Sequence, residues 1–184
     1  MVNQNDDRQL VEQAQAGDMS AFDELVRRHH GPLYCYLNRT CRDGAEAEEM
    51  TQESFVKAWE GLKGFRGAAS FRTWLFRIAT NLCINRLSRR RPVDPLSEDV
   101  PAARRDEPEE TYRQRELTEC VHAALAQLPV DQRSALVFSI YEEMSYDEIA
   151  EAMGRSLASV NSLLYRARMS LRQTLENARS RGLI

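Results

Sequence analysis

Two sets of side chains in this sequence have the types and spacing to bind nucleic acid. The first begins at Ser145-Tyr146-Asp147-Glu148, which has the form of a capping box. The serine hydroxyl can accept from the Glu148 amide while the glutamate reaches back to the serine N–H. Gly154 falls where a tight turn between two helices needs a residue free of a Cβ, and Ser156 can cap the helix that follows. Ala150, Gly154 and Val160 thereby take the small, turn and core positions of a helix-turn-helix. On the second helix Val160, Leu163, Leu164, Ala167 and Leu171 point inward. The outward arc holds Ala158, Ser159, Asn161, Ser162, Tyr165, Arg166 and Met169. Small and polar groups followed by an arginine allow a helix to enter a major groove and bond to base edges. A solvated helical hairpin would share parts of this pattern. It is the joint occurrence of cap, alanine, glycine and valine that points to DNA.

The second set lies on a helix expected to open at Ser70 and run to about Arg90. Phe71, Leu75, Phe76, Ile78, Ala79, Leu82 and Leu87 wrap most of it, and the remaining arc carries Trp74, Arg77, Asn81, Asn85 and Ser88. The loop before it, Lys63 to Ala69, adds Phe65 and Arg66. An aromatic ring among cations and amides suits single-stranded DNA, whose unpaired bases stack and whose phosphates attract positive charge. Each of these residues taken alone is more often structural, Trp74 above all.

Catalytic chemistry has no comparable basis. His29-His30 beside Arg27-Arg28 is the one conspicuous histidine cluster, expected to cap or flank a kinked helix, and His122 is isolated. No nucleophile, base and orienting group accompany them. Cys35, Cys41, Cys83 and Cys120 form no C-x-x-C pair and read as small buried thiols. No catalytic residue, metal or cofactor is expected.

The elements that must position the two sets are helical. The chain has 184 residues, 42% of them hydrophobic and 29% charged, with a net charge of −3. The positive charge is gathered in two runs free of acidic residues, Gly61 to Val93 and Ala152 to Leu175, which suit polyanion-binding faces. Between them Pro92, Pro95, Pro101 and Pro108 punctuate an acidic stretch of low hydrophobicity. Prolines at that density bar a helix, so residues 92–112 are expected to be a flexible linker between two domains, 1–91 and 113–184. The expected class is all-α, with two small helical domains and no period-two strands.

In the first domain, Asp18 or Ser20 can cap a helix with Phe22, Leu25, Val26, Leu33 and Leu37 inward, which Gly31-Pro32 is expected to kink or break. A second helix, from about Asp43 to Gly61, places Ala47, Met50, Phe55, Ala58, Trp59 and Leu62 on one face. Glu46, Glu49, Glu53 and Glu60 fall on the other. In the second domain, helices are expected at about 113–128, 130–142, 145–153 and 156–178. The polar start of the chain and the lack of any long apolar run predict a cytoplasmic protein without direct membrane insertion.

At this point a family resemblance becomes clear. Phe65-Arg66-Gly67, Phe71-Arg72-Thr73-Trp74-Leu75-Phe76-Arg77-Ile78-Ala79 and Asn81 resemble the promoter-melting segment of extracytoplasmic-function sigma factors of the sigma-70 family. Glu46 to Phe55 is similar to that family's polymerase-binding helix. Leu128-Pro129, Ser145 to Ala150, Ser159-Val160 and Arg166-Ala167-Arg168 resemble its second domain. The resemblance implies a region 2 bundle and a region 4 helix-turn-helix that bind core RNA polymerase and promoter DNA. Polymerase would be held on the clamp helices of its largest subunit and the flap of its second-largest. Glu49, Gln52, Glu53 and Val56 would make the clamp contact. Phe65, Arg66, Trp74, Arg77, Asn81 and Asn85 would melt the start-proximal element. Ser159, Asn161, Ser162, Tyr165, Arg166 and Arg168 would read the upstream one. A monomer when free and control by an anti-sigma factor are further implications. The family often has Lys and Arg where this chain has Asn161 and Leu163, and Asp at Asn85, so its promoter sequences do not carry over and backbone attraction should be weaker.

A free-standing helix-turn-helix repressor would bind duplex DNA, typically as a dimer, but would need neither the linker nor the Trp74 helix. A pure protein adaptor would leave the basic runs unexplained.

Overall fold

A computed structural model describes residues 4–89, 121 and 123–180. The expected linker (92–112), the start of the helix expected at 113–128, Cys120 and His122 lie outside the described residues. Every regular element among the described residues is helical. The elements are α1 (Gln4–Gln15), α2 (Met19–Cys41), α3 (Gly44–Gly61), a 3-10 turn (Leu62–Gly64), α4 (Phe71–Arg89), α5 (Val130–Ile140), α6 (Tyr146–Met153) and α7 (Leu157–Ser180). The all-α expectation is met.

Local chemistry explains most of the helix starts. The Asp18 carboxylate accepts from the Ser20 and Ala21 amides and caps α2; Asp43 accepts from Glu46 N–H at 3.0 Å and caps α3. Ser70 Oγ accepts from Thr73 N–H at 3.1 Å at the head of α4. The break or kink expected at Gly31-Pro32 is not a break: α2 is helical from Met19 through Cys41 with Pro32 inside it. Proline removes one amide donor, but Leu25, His29, Leu33, Tyr36 and Leu37 are all buried on either side of it. Burial on that scale, about 1.5–3 kcal/mol for each large side chain, outweighs one missing bond.

The predicted inner face of α3 is largely met, with Ala47, Met50, Phe55, Ala58 and Leu62 buried and Trp59 partly so. The outer face needs a correction, because Glu46 is buried. It lies in the first turn of α3, where the helix dipole favours negative charge, and within the field of Arg86 from α4. The thiol expectation also needs one: Cys41 and Cys83 are buried but Cys35 is exposed. On α2 its neighbours Leu33, Tyr36 and Leu37 take the inward positions. Burial pushes the Cys83 thiol up to about 12, so it is inert as a nucleophile.

The histidine expectation is corrected as well. His29 neither caps nor flanks α2; it lies inside the helix, 1% exposed, with Nε2 2.7 Å from Asp7 Oδ2 of α1 and its ring against Phe71. Arg28 donates to the same carboxylate at 3.2 Å, so this charge is shared. Burial, only partly offset by Asp7, holds the imidazole below its ordinary value of 6.5. In the window below that value the unfolded chain binds the proton and the folded chain does not. The contribution is therefore complete above about pH 6.5 and is lost as pH falls. Melting temperature should drop between about pH 7 and about pH 5, and less steeply in His29→Gln. Identical slopes in the two proteins would contradict this reading of the pair.

The two halves pack together. α6 lies along α4, and α5 lies against α2 and α4. Tyr36 stacks on Phe138 at a centroid distance of 4.3 Å, and Phe76 meets both rings at 5.4 and 5.6 Å. The buried apolar residues of both halves form one continuous cluster.

Candidate nucleic-acid interface

The helix-turn-helix is built as its local sequence requires. Ser145 Oγ accepts from Glu148 N–H at 3.3 Å, and Glu148 Oε2 accepts from Ser145 N–H at 2.8 Å, completing the capping box. Those bonds hold the Glu148 carboxyl below the usual range. Gly154 ends α6 with φ 61, a left-handed conformation that costs a side-chain-bearing residue strain. Ser156 Oγ accepts from Ser159 N–H at 3.3 Å, and Val160, Leu163, Leu164 and Ala167 are buried.

This packing turns the predicted reading face of α7 outward. Asn161, Ser162, Tyr165, Arg166 and Arg168 are exposed, Tyr165 at 66%, and Ser159 is half-buried. Asn161, Ser162, Tyr165 and Arg166 line one shallow hollow. Two of the donors are held by their own helix: Ser162 Oγ donates to the Ala158 carbonyl at 3.0 Å, and Arg166 Nε donates to the Ser162 carbonyl at 3.2 Å. Arg168 Nη1 donates to the Tyr146 hydroxyl at 3.1 Å and is tied to α6. An arginine held at its Nε still has both terminal nitrogens to offer a guanine edge or a phosphate.

The α4 set is brought together less completely. Arg77, Asn81 and Asn85 are exposed along one side of the helix, and Arg66 is exposed in the preceding loop. Trp74 and Phe65 are half-buried and stack on each other at 4.7 Å. A Cβ added to Gly61 would lie 3.2 Å from the indole. The Trp74 ring is therefore partly committed to the fold.

The α3 set forms a third surface. Glu49, Gln52 and Val56 are exposed, Val56 at 57%, and Glu53 is half-buried. Arg86 of α4 ties two of them, donating to Glu49 at 2.7 Å and to Glu53 at 3.1 Å. Sequence reasoning placed Arg86 in a basic run without this role. The partners are more than thirty residues away, so no local pattern could have shown it. Among the described residues no group of three or more His, Cys, Asp and Glu could hold a metal ion, and no helix is long and apolar enough to cross a membrane.

Fold and surfaces together define a helical protein with a complete helix-turn-helix, a basic aromatic helix and an acidic helix. Comparison with known proteins gives the class a family. The Sigma-70 region 2 model matches residues 25–93, and the Sigma-70, region 4 model matches residues 118–171. The RNA polymerase sigma-H factor of Pseudomonas aeruginosa is 37% identical, over 96% of this chain and 97% of its own. The ECF RNA polymerase sigma-E factor of Escherichia coli is 34% identical, over 93% of this chain and 95% of its own. Among solved structures, CnrH in complex with the cytosolic domain of CnrY superposes with a TM-score of 0.71 at 28% identity, covering 94% of this chain and 98% of that one.

The chain belongs to the sigma-70 family of RNA polymerase sigma factors, in its extracytoplasmic-function branch. It is a transcription initiation factor that binds core RNA polymerase and directs it to promoters, and it is not an enzyme.

Proposed function

We propose that the work is divided between three surfaces, on a chain organised as domains 1–91 and 113–184 joined by residues 92–112. The exposed arc of α3 docks the clamp helices of the largest polymerase subunit through Glu49, Gln52, Glu53 and Val56, and the second domain engages the flap of the second-largest. α4 and the loop before it capture the melted start-proximal element: Arg66, Arg77, Asn81 and Asn85 supply charge and hydrogen bonds, and Phe65 and Trp74 a stacking edge. α7 reads the upstream element in the major groove through Ser159, Asn161, Ser162, Tyr165 and Arg166, with Arg168 steadying the helix against Tyr146. The protein is a monomer when free and acts in the cytoplasm. An anti-sigma factor controls it; in support, the similar chain CnrH is held in its solved structure by the cytosolic domain of a second protein, CnrY. Leu163 is buried, so the cation relatives often carry there has no counterpart on this reading face.

The observation that carries this division is the outward face of α7, exposed behind a complete capping box and a left-handed Gly154. Arg166→Ala tests it. Binding to promoter DNA by the assembled holoenzyme should weaken by about 1–2 kcal/mol, while affinity for core polymerase stays unchanged. An equal fall in both would overturn the division.

A further inference from the structure

Glu142 and Tyr141, in the loop between α5 and α6, reach across to the first domain. Glu142 Oε2 accepts from Arg72 Nη2 of α4 at 2.6 Å, the same nitrogen lies 3.3 Å from the Glu142 carbonyl, and the Glu142 side chain is only 7% exposed. The Arg72 guanidinium also lies over the Phe76 ring at 5.1 Å. Tyr141 presents its ring to Arg39 of α2, with the guanidinium carbon 4.3 Å from the centroid. Two neighbouring loop residues thus hold two cations from two different helices of the other domain.

The loop is itself fixed. Tyr141 and Glu142 N–H both donate to the Val137 carbonyl, and Met144 N–H donates to that of Phe138. Glu143 has φ 51, a conformation a non-glycine residue keeps only when its surroundings impose it. A third tie stands at the other end of α5. Arg133 Nη1 donates to the Thr40 carbonyl of α2 at 2.6 Å, while Nη2 binds the Ala126 and Leu128 carbonyls of its own domain at 3.0 Å.

The helix gripped in this way is α4. Arg72 stands two residues before Trp74, and the helix-turn-helix turn abuts the same helix, since a Cβ on Gly154 would lie 3.8 Å from Arg77 Nε. We propose that the loop Tyr141-Glu142-Glu143 is a latch that holds the free chain closed by its own contacts, with the DNA-reading domain seated on α4. The loop contacts act in addition to the apolar cluster that joins the two halves; their consequence for promoter capture rests on the role proposed above for α4.

Small-angle scattering on the full chain tests the latch. The native protein should have a radius of gyration near 16 Å, the value for a compact chain of this length, to within about 2 Å. Glu142→Arg sets two arginines against each other and should raise it by about 5 Å or more. Adding Arg72→Glu restores an opposite-charge pair and should bring it back. Tyr141→Ala, at an exposed position, loosens the other arm without touching the core and guards against a Glu142 variant that fails to fold. A native value above about 22 Å, or no change in any variant, would overturn the latch. Binding of a fluorescent single-stranded oligonucleotide to the opened variant reports separately on α4. If the variant opens without any gain in binding, the latch stands and the promoter-capture role of α4 falls.

Discussion

Glu53→Arg should lower affinity for core polymerase by about 2–3 kcal/mol, roughly 30- to 150-fold in Kd, with the fold intact. The size of the effect follows from Arg86. In the native chain its guanidinium sits between Glu49 and Glu53, at 2.7 and 3.1 Å, and Lys57 pairs with the other Glu53 oxygen at 3.6 Å. Reversal at position 53 removes one carboxylate, adds a cation beside Lys57, and leaves Arg86 to pair with Glu49 alone. The acidic face becomes a basic one, and a partner surface complementary to the original face is repelled. Glu53→Gln removes charge without adding any and should cost less. Competition with a labelled sigma factor for core polymerase gives the affinities, and far-UV circular dichroism reports on the fold. Unchanged affinity in Glu53→Arg would remove this face from the polymerase contact.

Phe76→Ala should destabilise the protein by about 3–5 kcal/mol, the range for deleting a fully buried aromatic ring. Phe76 is 0% exposed and stands where α2, α4 and α5 converge, in contact with Tyr36 and Phe138 and beneath Arg72. Truncation leaves a void bounded by two rings with few ways to collapse. Tyr36 is further restrained because its hydroxyl is bonded to Thr80 Oγ1 at 2.9 Å. Equilibrium urea unfolding of the full chain measures the loss. A change below about 1 kcal/mol would mean that the three helices do not close on this ring.

Local chemistry was the legible part of this protein. The capping box at Ser145 and Glu148, the left-handed Gly154 and the inward valine and leucines of α7 all act within a few residues of one another. Their spacing alone fixes which arc faces solvent, and Asn161, Ser162, Tyr165 and Arg166 are exposed as expected, with Ser159 half-buried. The caps at Asp18 and Asp43 and the apolar face of α3 were legible for the same reason. What was not legible depends on distant partners. Of the kink or break expected at Pro32, the break does not occur: the apolar residues around it have helices to pack against, and α2 continues to Cys41. Glu46 lies on the charged arc of α3, yet its helix start and Arg86 supply a setting where a carboxylate can be buried. His29 became a core residue because Asp7, some twenty residues earlier, arrives beside it on α1. Arg86 and Arg72 belong to a basic run that suggests DNA, but both are held by glutamates that only the tertiary fold brings near.

The central claim is that this chain gives core polymerase its promoter specificity. Transcription in vitro with purified bacterial core polymerase and host genomic fragments, with and without the protein, tests it most directly. Discrete transcripts that appear only when the protein is present are the expected result. No such transcripts, together with no binding of the protein to core polymerase, would contradict the account and leave a free-standing DNA-binding repressor in its place.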